Sequence, residues 1–286
     1  MTLTYKELEI ELELDGLLAV EEFMLIQGMN QHGFLALKLL VEEEQGDDLV
    51  NMACAIQITV REKEVTGGQS IFKGKLETAA VKKKNGLFYL YLEAYSYTKD
   101  WDRAEKSRSF QNGAMTYMEA AIKVLSAYSR TDIQDEATRE ERIPGFLLQY
   151  EETDWVFLRR LASHFGTYLL PDISDDCGKV YFGIPNLNYG TILEKQNYIL
   201  EKDLLYHARV LEREGILSQE VSCWRIKVRH LLHMWETLTF NGIEAVVTGM
   251  KLYTDKGELV YCYELSRRDG ILREREKNPR IFGMSI

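Results

Sequence analysis

The sequence predicts a mainly β protein of the α+β class, in which two small β-barrel domains flank a mixed α/β insert. Three observations support this prediction. Apolar and polar residues alternate along many short segments, which is typical of half-buried strands. Turn signals separate these segments, and Asn85-Gly86 is the strongest of them. Helix-capping signals occur at two places in the middle of the chain, at Thr116 with Glu119 and at Thr153.

Residues 1–98 are predicted to form the first β-barrel domain. The first strand has an apolar face made of Leu8, Ile10, Leu12 and Leu14 and an acidic face made of Glu7, Glu9, Glu11 and Glu13. Further strands are expected at 20–28, 34–43, 55–63, 70–82 and 87–97, with turns at 30–33, 46–48, 67–68 and 85–86. Six strands at this spacing would close into a small barrel or a strongly curled sheet.

Residues 99–190 are predicted to form the α/β insert. We expect a loop at 99–108 because it is dense in charge, and a surface excursion at 132–142 because it is polar. The first helix should bury Met118, Ala121, Ile122, Leu125 and Tyr128. The second helix should bury Trp155, Leu158, Leu161, Ala162 and Phe165 and carry Arg159, Arg160 and Ser163 on another face. It should end at Gly166 and lead into an extended segment stopped by Pro171.

Residues 191–275 are predicted to form the second β-barrel domain, and 276–286 a C-terminal extension. The segment 198–213 fits either a strand or a helix, with a strand favoured for its first half. In the next strand, Trp224, Ile226 and Val228 should face inward and Arg225, Lys227 and Arg229 outward. A hairpin is expected over 237–250 with its turn at Asn241-Gly242, and a further turn at Lys256-Gly257.

Composition and charge restrict the classes of function. The chain has 286 residues, of which 45% are hydrophobic and 28% charged, as in ordinary globular proteins. The net charge of −10 arises from residues 1–48, where 12 acidic residues oppose Lys6 and Lys38. This region disfavours nucleic-acid binding. Its acidic surface suits a basic partner or a water-filled space, or is simply solvated.

No targeting or anchoring signal is visible in the sequence. The N-terminus does not resemble a signal peptide, and no apolar run reaches the roughly 18 residues needed to span a bilayer. The four cysteines are Cys54, Cys177, Cys223 and Cys262, and none forms a CxxC pair. We therefore predict assembly in the cytoplasm, no membrane anchoring, and buried reduced thiols.

The residues do not specify catalysis. The sequence contains no GxSxG, no Walker loop and no GxGxxG. The HxxHxxE segment comprises His230, His233 and Glu236, but its histidines are three residues apart rather than four. On a strand they would point to opposite faces, so we predict no metal site there. His164 is predicted to lie at the negative end of the second helix. We expect neither enzyme activity nor a cofactor.

One segment carries a specific resemblance. The residues Gln149-Tyr150, Glu152-Thr153-Asp154, Phe157-Leu158, Arg160-Leu161 and Gly166-x-Tyr168 resemble the signature of the VgrG and phage late-control-D family. Two further segments are similar to the family, namely Ser109-Phe110-Gln111-Asn112 before Met115-Thr116, and 235–242. The match nominates six residues as structural core, namely Tyr150, Trp155, Phe157, Leu158, Leu161 and Gly166.

The resemblance implies the baseplate hub of a contractile injection system, as in type VI secretion or a phage tail. Such a hub is a homotrimer that adapts a hexameric inner tube to a trimeric spike, with two tube-type barrels in each protomer. The implied partners are a second copy, the inner tube protein, a spike protein or domain, and baseplate wedge proteins. The particle is released or injected when it fires. The chain ends about where a spike domain would begin in the family, which predicts either a separate spike or a truncation.

Two alternatives remain at this point. One is the hub of a non-contractile phage tail, and the other is a soluble effector or hydrolase on a β-barrel scaffold. Within the hub hypothesis, the acidic face (Glu7, Glu9, Glu11, Glu13) and the basic face (Arg225, Lys227, Arg229) are candidate contacts between neighbouring barrels. Alternatively, both faces are solvated and never meet.

Overall fold

The structure is a computed structural model, and it describes residues 2–42, 56–63, 69–202 and 222–281. The helices in these ranges are α1 (Tyr117–Leu125) and α2 (Asp154–His164), with 3₁₀ turns at Tyr97–Asp102 and Arg268–Gly270. The strands are β1 Thr2–Tyr5, β2 Leu8–Leu12, β3 Leu17–Gly28, β4 Gln31–Val41, β5 Gln57–Glu62, β6 Ser70–Lys84, β7 Leu87–Ser96, β8 Glu105–Phe110, β9 Thr131–Asp135, β10 Leu147–Thr153, β11 Leu169–Asp172, β12 Gly178–Phe182, β13 Ile192–Leu193, β14 Tyr198–Glu201, β15 Cys223–Val228, β16 Thr237–Phe240, β17 Ile243–Asp255 and β18 Glu258–Ser266.

One large sheet dominates the fold. Its strand order is β1-β2-β5-β6-β7-β4-β3-β17-β18-β15-β14, while β16 pairs with β17 and β13 pairs with β16. The strands before β8 form one half of this sheet, and those after β12 form the other half. The predicted fold class, mainly β with a small helical content, is confirmed.

The two halves are joined by direct strand pairing. The long strand β17 carries β18 along one edge, and along the other edge it pairs first with β16 and then with β3. In the antiparallel β3–β17 ladder, Gly28 lies opposite Gly249 and Met24 lies opposite Tyr253. One apolar core contains buried side chains of both halves, from Leu3 to Leu265. The two predicted barrels therefore share a sheet and a core.

The insert has a core of its own. Strand β10 pairs with β8, and β12 pairs with β11 on one side and in parallel with β9 on the other. Helices α1 and α2 pack between these two small sheets around Trp101, Phe157 and Leu161. The capping box that predicted α1 is present, because Glu119 N donates to Thr116 Oγ1 at 3.1 Å and Thr116 N donates to Glu119 Oε2 at 2.8 Å.

The hairpins with clear turn signals are confirmed. Strands β6 and β7 meet at Asn85-Gly86, β16 and β17 at Asn241-Gly242, and β17 and β18 at Lys256-Gly257. Each of these asparagine or lysine residues has a positive φ, as a tight hairpin turn requires. The expected turns at 46–48 and 67–68 lie outside the described residues, as does the part of 198–213 beyond residue 202.

Two segments predicted as irregular contain strands. The charge-dense segment 99–108 was predicted as a loop, but it holds the end of a 3₁₀ turn and most of β8. This prediction was wrong because Lys106 and Arg108 point towards a buried carboxylate and not into solvent. The polar segment 132–142 includes most of β9, whose backbone is paired with β12 and whose side chains are partly or fully exposed.

The buried faces of both helices differ from the prediction. In α1, Ile122 is 53% exposed and Val124 is buried, so the apolar stripe lies about one residue away from its predicted position. In α2, Arg160 and Ser163 are buried although they were predicted on an outer face. Arg160 is buried because it has an ionic partner in the insert, which helical periodicity cannot reveal.

Pro171 lies inside a strand and joins three parts of the molecule. It was predicted to stop the extended segment, but β11 continues to Asp172 as an edge strand, where proline is tolerated. The carbonyl oxygen of Pro171 accepts a hydrogen bond from Gln27 Nε2 at 2.7 Å and another from Trp235 Nε1 at 3.1 Å. Gln27 belongs to the first half of the sheet and Trp235 to the second. This acceptor fixes both halves to the insert.

The described cysteines are free thiols, as predicted, but they are only partly buried, whereas full burial was expected. Cys177, Cys223 and Cys262 are reduced and partly exposed, while Cys54 lies outside the described residues. Burial raises the pKa of the Cys177 and Cys223 thiols to about 11, so both are protonated at neutral pH. Neither described helix is long and apolar enough to cross a membrane.

The Pro171 junction leads to a stability prediction. Trp235→Phe keeps an aromatic ring but loses the indole donor, and we expect it to lower the free energy of unfolding by about 1–2 kcal/mol more than Trp224→Phe does. Trp224 is a suitable control because it is also buried in the second half and its indole makes no such contact with the insert. Urea unfolding of both variants measures the difference, and equal losses would show that the junction hydrogen bond is dispensable.

Candidate assembly surfaces and the motif that positions them

The segment 149–170 folds around helix α2. Thr153 caps the helix by accepting a hydrogen bond from Val156 N at 3.2 Å, and Gly166 lies just after the helix with φ +65°. The side chains of Trp155, Phe157, Leu158 and Leu161 are at most 2% exposed. Their position in the core of the insert explains why large apolar residues occur at this spacing.

Asp154 is the centre of a buried ionic cluster that the sequence did not reveal. Its carboxylate receives a hydrogen bond from Lys106 Nζ at 2.6 Å, from Tyr128 Oη at 2.7 Å and from Gln149 Nε2 at 2.8 Å. Arg108 forms an ion pair with the same carboxylate. Burial alone would raise the pKa of Asp154, but these partners outweigh it and lower the pKa. The cluster joins β8, β10 and the first turn of α2.

A second buried ion pair holds the other side of the helix. Arg160 pairs with Glu152 at the end of β10, and its guanidinium also donates to the carbonyl of Leu148 at 2.6 Å. Both charged side chains are almost fully buried. A buried charge is tolerated when it is paired and hydrogen-bonded. Glu152 and Arg160 therefore act as structural residues of the segment.

His32 connects the first half of the sheet to α2. Its ring lies 4.2 Å from the ring of Trp155, and its Nδ1 is 2.9 Å from Thr98 Oγ1. Its Nε2 lies 3.4 Å from Asp102 Oδ2, while Asp102 Oδ1 accepts from Thr153 Oγ1 at 2.6 Å. Burial lowers the pKa of His32, so the ring is neutral at pH 7. The capping residue of α2 is thereby tied to the start of β4.

The same segment holds the C-terminal strap, which we define as residues 271–281. Gly166 O accepts from Arg273 N at 3.0 Å, Ser163 Oγ accepts from Glu276 N at 2.8 Å, and Tyr150 O accepts from Asn278 Nδ2 at 2.8 Å. Near the end of the strap, Arg280 makes a bidentate ion pair with Glu105. The segment 149–170 therefore guides the C-terminal strap across the insert.

His164 and the HxxHxxE residues have structural surroundings. His164 ends α2 as predicted, but burial, with Arg275 and Arg160 nearby, lowers its pKa to about 4. The neutral ring therefore gains little from the negative end of the helix. The fully buried Glu236 accepts from Thr191 Oγ1 at 2.9 Å and from His233 N at 3.2 Å. The ring of His233 lies 4.2 Å from that of Tyr189.

The acidic and basic faces already have partners within the chain. On the acidic face, Glu11 pairs with Arg61 at 3.2 Å, and Glu7 accepts from the hydroxyl of Tyr261 in the second half at 3.4 Å. On the basic face, Arg225 pairs with Glu201 at 2.7 Å and Glu264 at 3.3 Å. Four further charges, Glu9, Glu13, Lys227 and Arg229, form no salt bridge with the described residues. The surface therefore has less free charge for partners than the sequence suggested.

An exposed apolar edge is the most distinctive surface of the chain. Ten large apolar side chains are exposed in the described ranges, and five of them lie between residues 189 and 200. They are Tyr189, Ile192, Tyr198, Ile199 and Leu200, each more than half exposed. Strands β13 and β14 each have a single strand neighbour among the described residues. Apolar side chains on an unpaired strand edge are typical of a protein-protein contact.

Comparisons with known proteins agree with this architecture. No known protein-family profile matches the chain, and no curated protein matches it in sequence. Solved structures do match. The c3393 protein of E. coli, a component of the type VI secretion system with structural similarity to the T4 tail proteins gp27 and gp5, aligns with a TM-score of 0.69 and 11% identity over 94% of this chain and 79% of that chain.

Two other solved structures are informative. The 43 kDa tail protein of prophage MuSo2 from Shewanella oneidensis aligns with a TM-score of 0.68 and 12% identity, covering 95% of this chain and 99% of that chain. A Francisella PdpA–VgrG complex aligns with a TM-score of 0.58 and 10% identity, covering 90% of this chain and 55% of that chain. The chain therefore has the fold shared by these tail and VgrG-type proteins, and the fold expected from 149–170 is confirmed.

The buried cluster at Asp154 leads to a second stability prediction. Asp154→Asn removes the negative charge but leaves Lys106 and Arg108, which are 30% and 27% exposed. Water can partly solvate them, so we expect a loss of about 3 kcal/mol, at the lower end of the usual cost of breaking a buried pair. Asp176→Asn is the control, since its ion pair with Arg130 is exposed and its loss should hardly change stability. Similar losses in chemical denaturation of the two variants would refute the structural role of the cluster.

The Asp102 carboxylate leads to a prediction about pH. Burial alone would raise the pKa of Asp102, but hydrogen bonds from His32 and Thr153 outweigh it and lower the pKa to about 2. A carboxyl group with a lowered pKa stabilises the fold above its unfolded-state value, and this stabilisation is lost as the pH falls. The stability difference between the parent and Asp102→Asn should therefore shrink from about pH 4 to about pH 2. A difference that stays constant over this range in pH-dependent urea unfolding would contradict the assignment.

Proposed function

We propose that this chain is a structural component of a phage tail-like particle, namely the baseplate hub of a contractile injection system. The observation that carries the proposal is the fold, which is shared with phage tail proteins and with a component of the type VI secretion system. The resemblance of 149–170 to the VgrG and late-control-D signature supports the narrower hub assignment. The exposed apolar edge supports a role in assembly.

In this proposal the chain forms a homotrimer that adapts a hexameric tube to a trimeric spike. Each protomer contributes two half-sheets joined through β3 and β17, so three protomers present six half-sheets around one axis. Such a ring matches both the six-fold symmetry of the tube and the three-fold symmetry of the spike. It needs no catalytic group. The partners would be a second copy, the inner tube protein, a spike protein or domain, and baseplate wedge proteins.

The domain boundaries at 98, 190 and 275, and the roles of the predicted site residues, belong to the same proposal. The six core residues of 149–170 would maintain the fold and seat the C-terminal strap, which would lead the chain towards the spike. Among the charged residues, Glu9, Glu13, Lys227 and Arg229 remain candidates for contacts between neighbouring protomers. Glu7, Glu11 and Arg225 are weaker candidates because they have partners within the chain.

Other assignments are less well supported. The hub of a non-contractile tail would use the same fold, since the structural neighbours include a prophage tail protein. The contractile assignment rests on the sequence resemblance alone. A soluble effector or hydrolase on this scaffold would need a catalytic constellation. The buried polar residues described here are instead engaged in structural hydrogen bonds and ion pairs.

The mass of the assembly in solution tests the proposal. The parent chain should form a homotrimer in light scattering or sedimentation. Ile199→Glu places a charge on the exposed apolar edge and should raise the concentration needed for half-assembly by about 10–100-fold, because a buried apolar contact is replaced by an unpaired charge. The thermal stability of the monomer should hardly change, since Ile199 is 59% exposed.

Ile122→Glu provides a matched control. Ile122 is 53% exposed on α1 and is distant in sequence from the apolar edge. Its substitution should leave assembly unchanged. A closed two-fold dimer of the parent, or a monomer at every accessible concentration, would refute the trimeric hub. A trimer that tolerates Ile199→Glu would keep the hub but exclude the apolar edge as its interface.

A further inference from the structure

A cavity of about 290 Å³ lies where the two halves of the large sheet meet the insert. The first half contributes Glu62 and Ser70, the insert contributes Asp172 and Tyr189, and the second half contributes Trp235. The volume is at the lower end of the range for small-ligand sites in proteins. Its lining combines core side chains such as Leu232 and Met250 with Tyr189 of the exposed apolar edge.

Two carboxylates and the imidazole of His233 line the cavity. Glu62 and Asp172 line it, and no lysine or arginine is found among its described lining residues. Asp172 is already satisfied, because Lys179 Nζ lies 3.2 Å from it and Ser174 Oγ donates to it at 2.6 Å. Glu62 forms no ion pair with any described residue. Within the described part of the chain, its carboxylate is therefore the lining group without a cationic partner.

The effect of Glu62 is visible in neighbouring groups. Burial is the main cause that raises the pKa of the Tyr261 and Tyr263 hydroxyls. The charges of Glu7 and then Glu62 raise the pKa of Tyr261 further, and Glu62 makes a smaller contribution at Tyr263. This region of the junction thus has a negative potential, which favours a positive ligand. A partly buried carboxylate without a partner is costly, and a bound cation would offset that cost.

Besides a negative charge, a site for an organic cation commonly has aromatic rings, and two such rings line this cavity. Tyr189 is 57% exposed, so it lies where solvent reaches the cavity, and its ring is tilted against that of His233 at 4.2 Å. Trp235 is 2% exposed and forms part of the inner wall. Faces of tyrosine and tryptophan rings attract ammonium and guanidinium groups. Ser70 Oγ is buried without a hydrogen-bond partner, so it can accept from a ligand N–H group.

We propose that this cavity binds an organic cation, an alkylammonium or alkylguanidinium group, with Glu62 as its counter-ion. The group can be supplied by a free small molecule or by a lysine or arginine side chain of a neighbouring copy. Tyr189 and Trp235 cover the alkyl stem and the charged head, and Ser70 accepts one hydrogen bond. The cavity is formed by one chain and does not require the proposed hub function, although Tyr189 also belongs to the exposed apolar edge.

Titration calorimetry with a matched pair of ligands tests the site. n-Butylguanidine carries the cation, while n-butylurea has nearly the same shape and no charge. The parent should bind butylguanidine with a Kd of about 1 mM, as expected for a small ligand with one ion pair, and should not bind butylurea detectably. Equal binding of both compounds, or no binding of butylguanidine at about 50 mM, would overturn the proposal.

Substitutions locate the binding. Glu62→Gln should weaken butylguanidine binding at least about tenfold while leaving the melting temperature unchanged or slightly higher, because it removes an unpaired charge. Glu93→Gln is the control, since Glu93 is an exposed carboxylate on β7 that does not line the cavity. Unchanged affinity in Glu62→Gln would refute the role of Glu62 and the site with it.

The same ligand distinguishes the two sources of the cation. Sedimentation is measured on the parent with and without saturating butylguanidine. If a neighbouring copy inserts a side chain, butylguanidine competes with it and the mass of the assembly falls. If the natural ligand is a free molecule, butylguanidine binds and the mass stays the same. Both results support the cavity as a cation site, and the hub proposal is judged separately by the mass of the parent alone.

Discussion

The carbonyl oxygen of Pro171 is the point at which both halves of the large sheet are hydrogen-bonded to the insert. Gln27 from the first half of the sheet and Trp235 from the second half both donate to it. A buried donor without an acceptor costs more than a satisfied hydrogen bond contributes, so neither half can move away from the insert without leaving a polar group unsatisfied. The β3–β17 ladder joins the two halves of the sheet to each other, and Pro171 joins both halves to the insert.

The insert relies on buried charge in a similar way. Asp154 gathers Lys106, Arg108, Gln149 and Tyr128, while Glu152 and Arg160 form a separate pair. Replacing such groups by apolar residues could give an equally stable core, so their benefit lies in fixing one arrangement of strands and helix. The C-terminal strap depends on that arrangement, because it is held by Ser163, Gly166 and Tyr150 of the same segment. The buried ionic groups therefore stabilise the insert and also determine the path of the C-terminal strap.

Local signals in the sequence predicted local structure well. The alternation at Leu8 to Leu12, the turn at Asn85-Gly86 and the capping box at Thr116 each depend on residues within a few positions, and each is confirmed. The failures involve partners that are distant in sequence. Lys106 and Arg108 form a strand because their partner is Asp154, and Pro171 continues a strand whose carbonyl serves Gln27 and Trp235. The apolar edge at β14 was missed because exposure depends on which strand lacks a neighbour.

The pairing of β3 with β17 also has a consequence for synthesis of the protein. More than 200 residues separate the two strands, so the edge of β3 has no partner while the ribosome makes the rest of the chain. At ordinary translation rates this interval lasts about 10–45 s. An unpaired edge next to an incomplete apolar core is prone to aggregate during that time. The nascent chain should therefore depend on chaperones that shield strand edges until translation reaches β17.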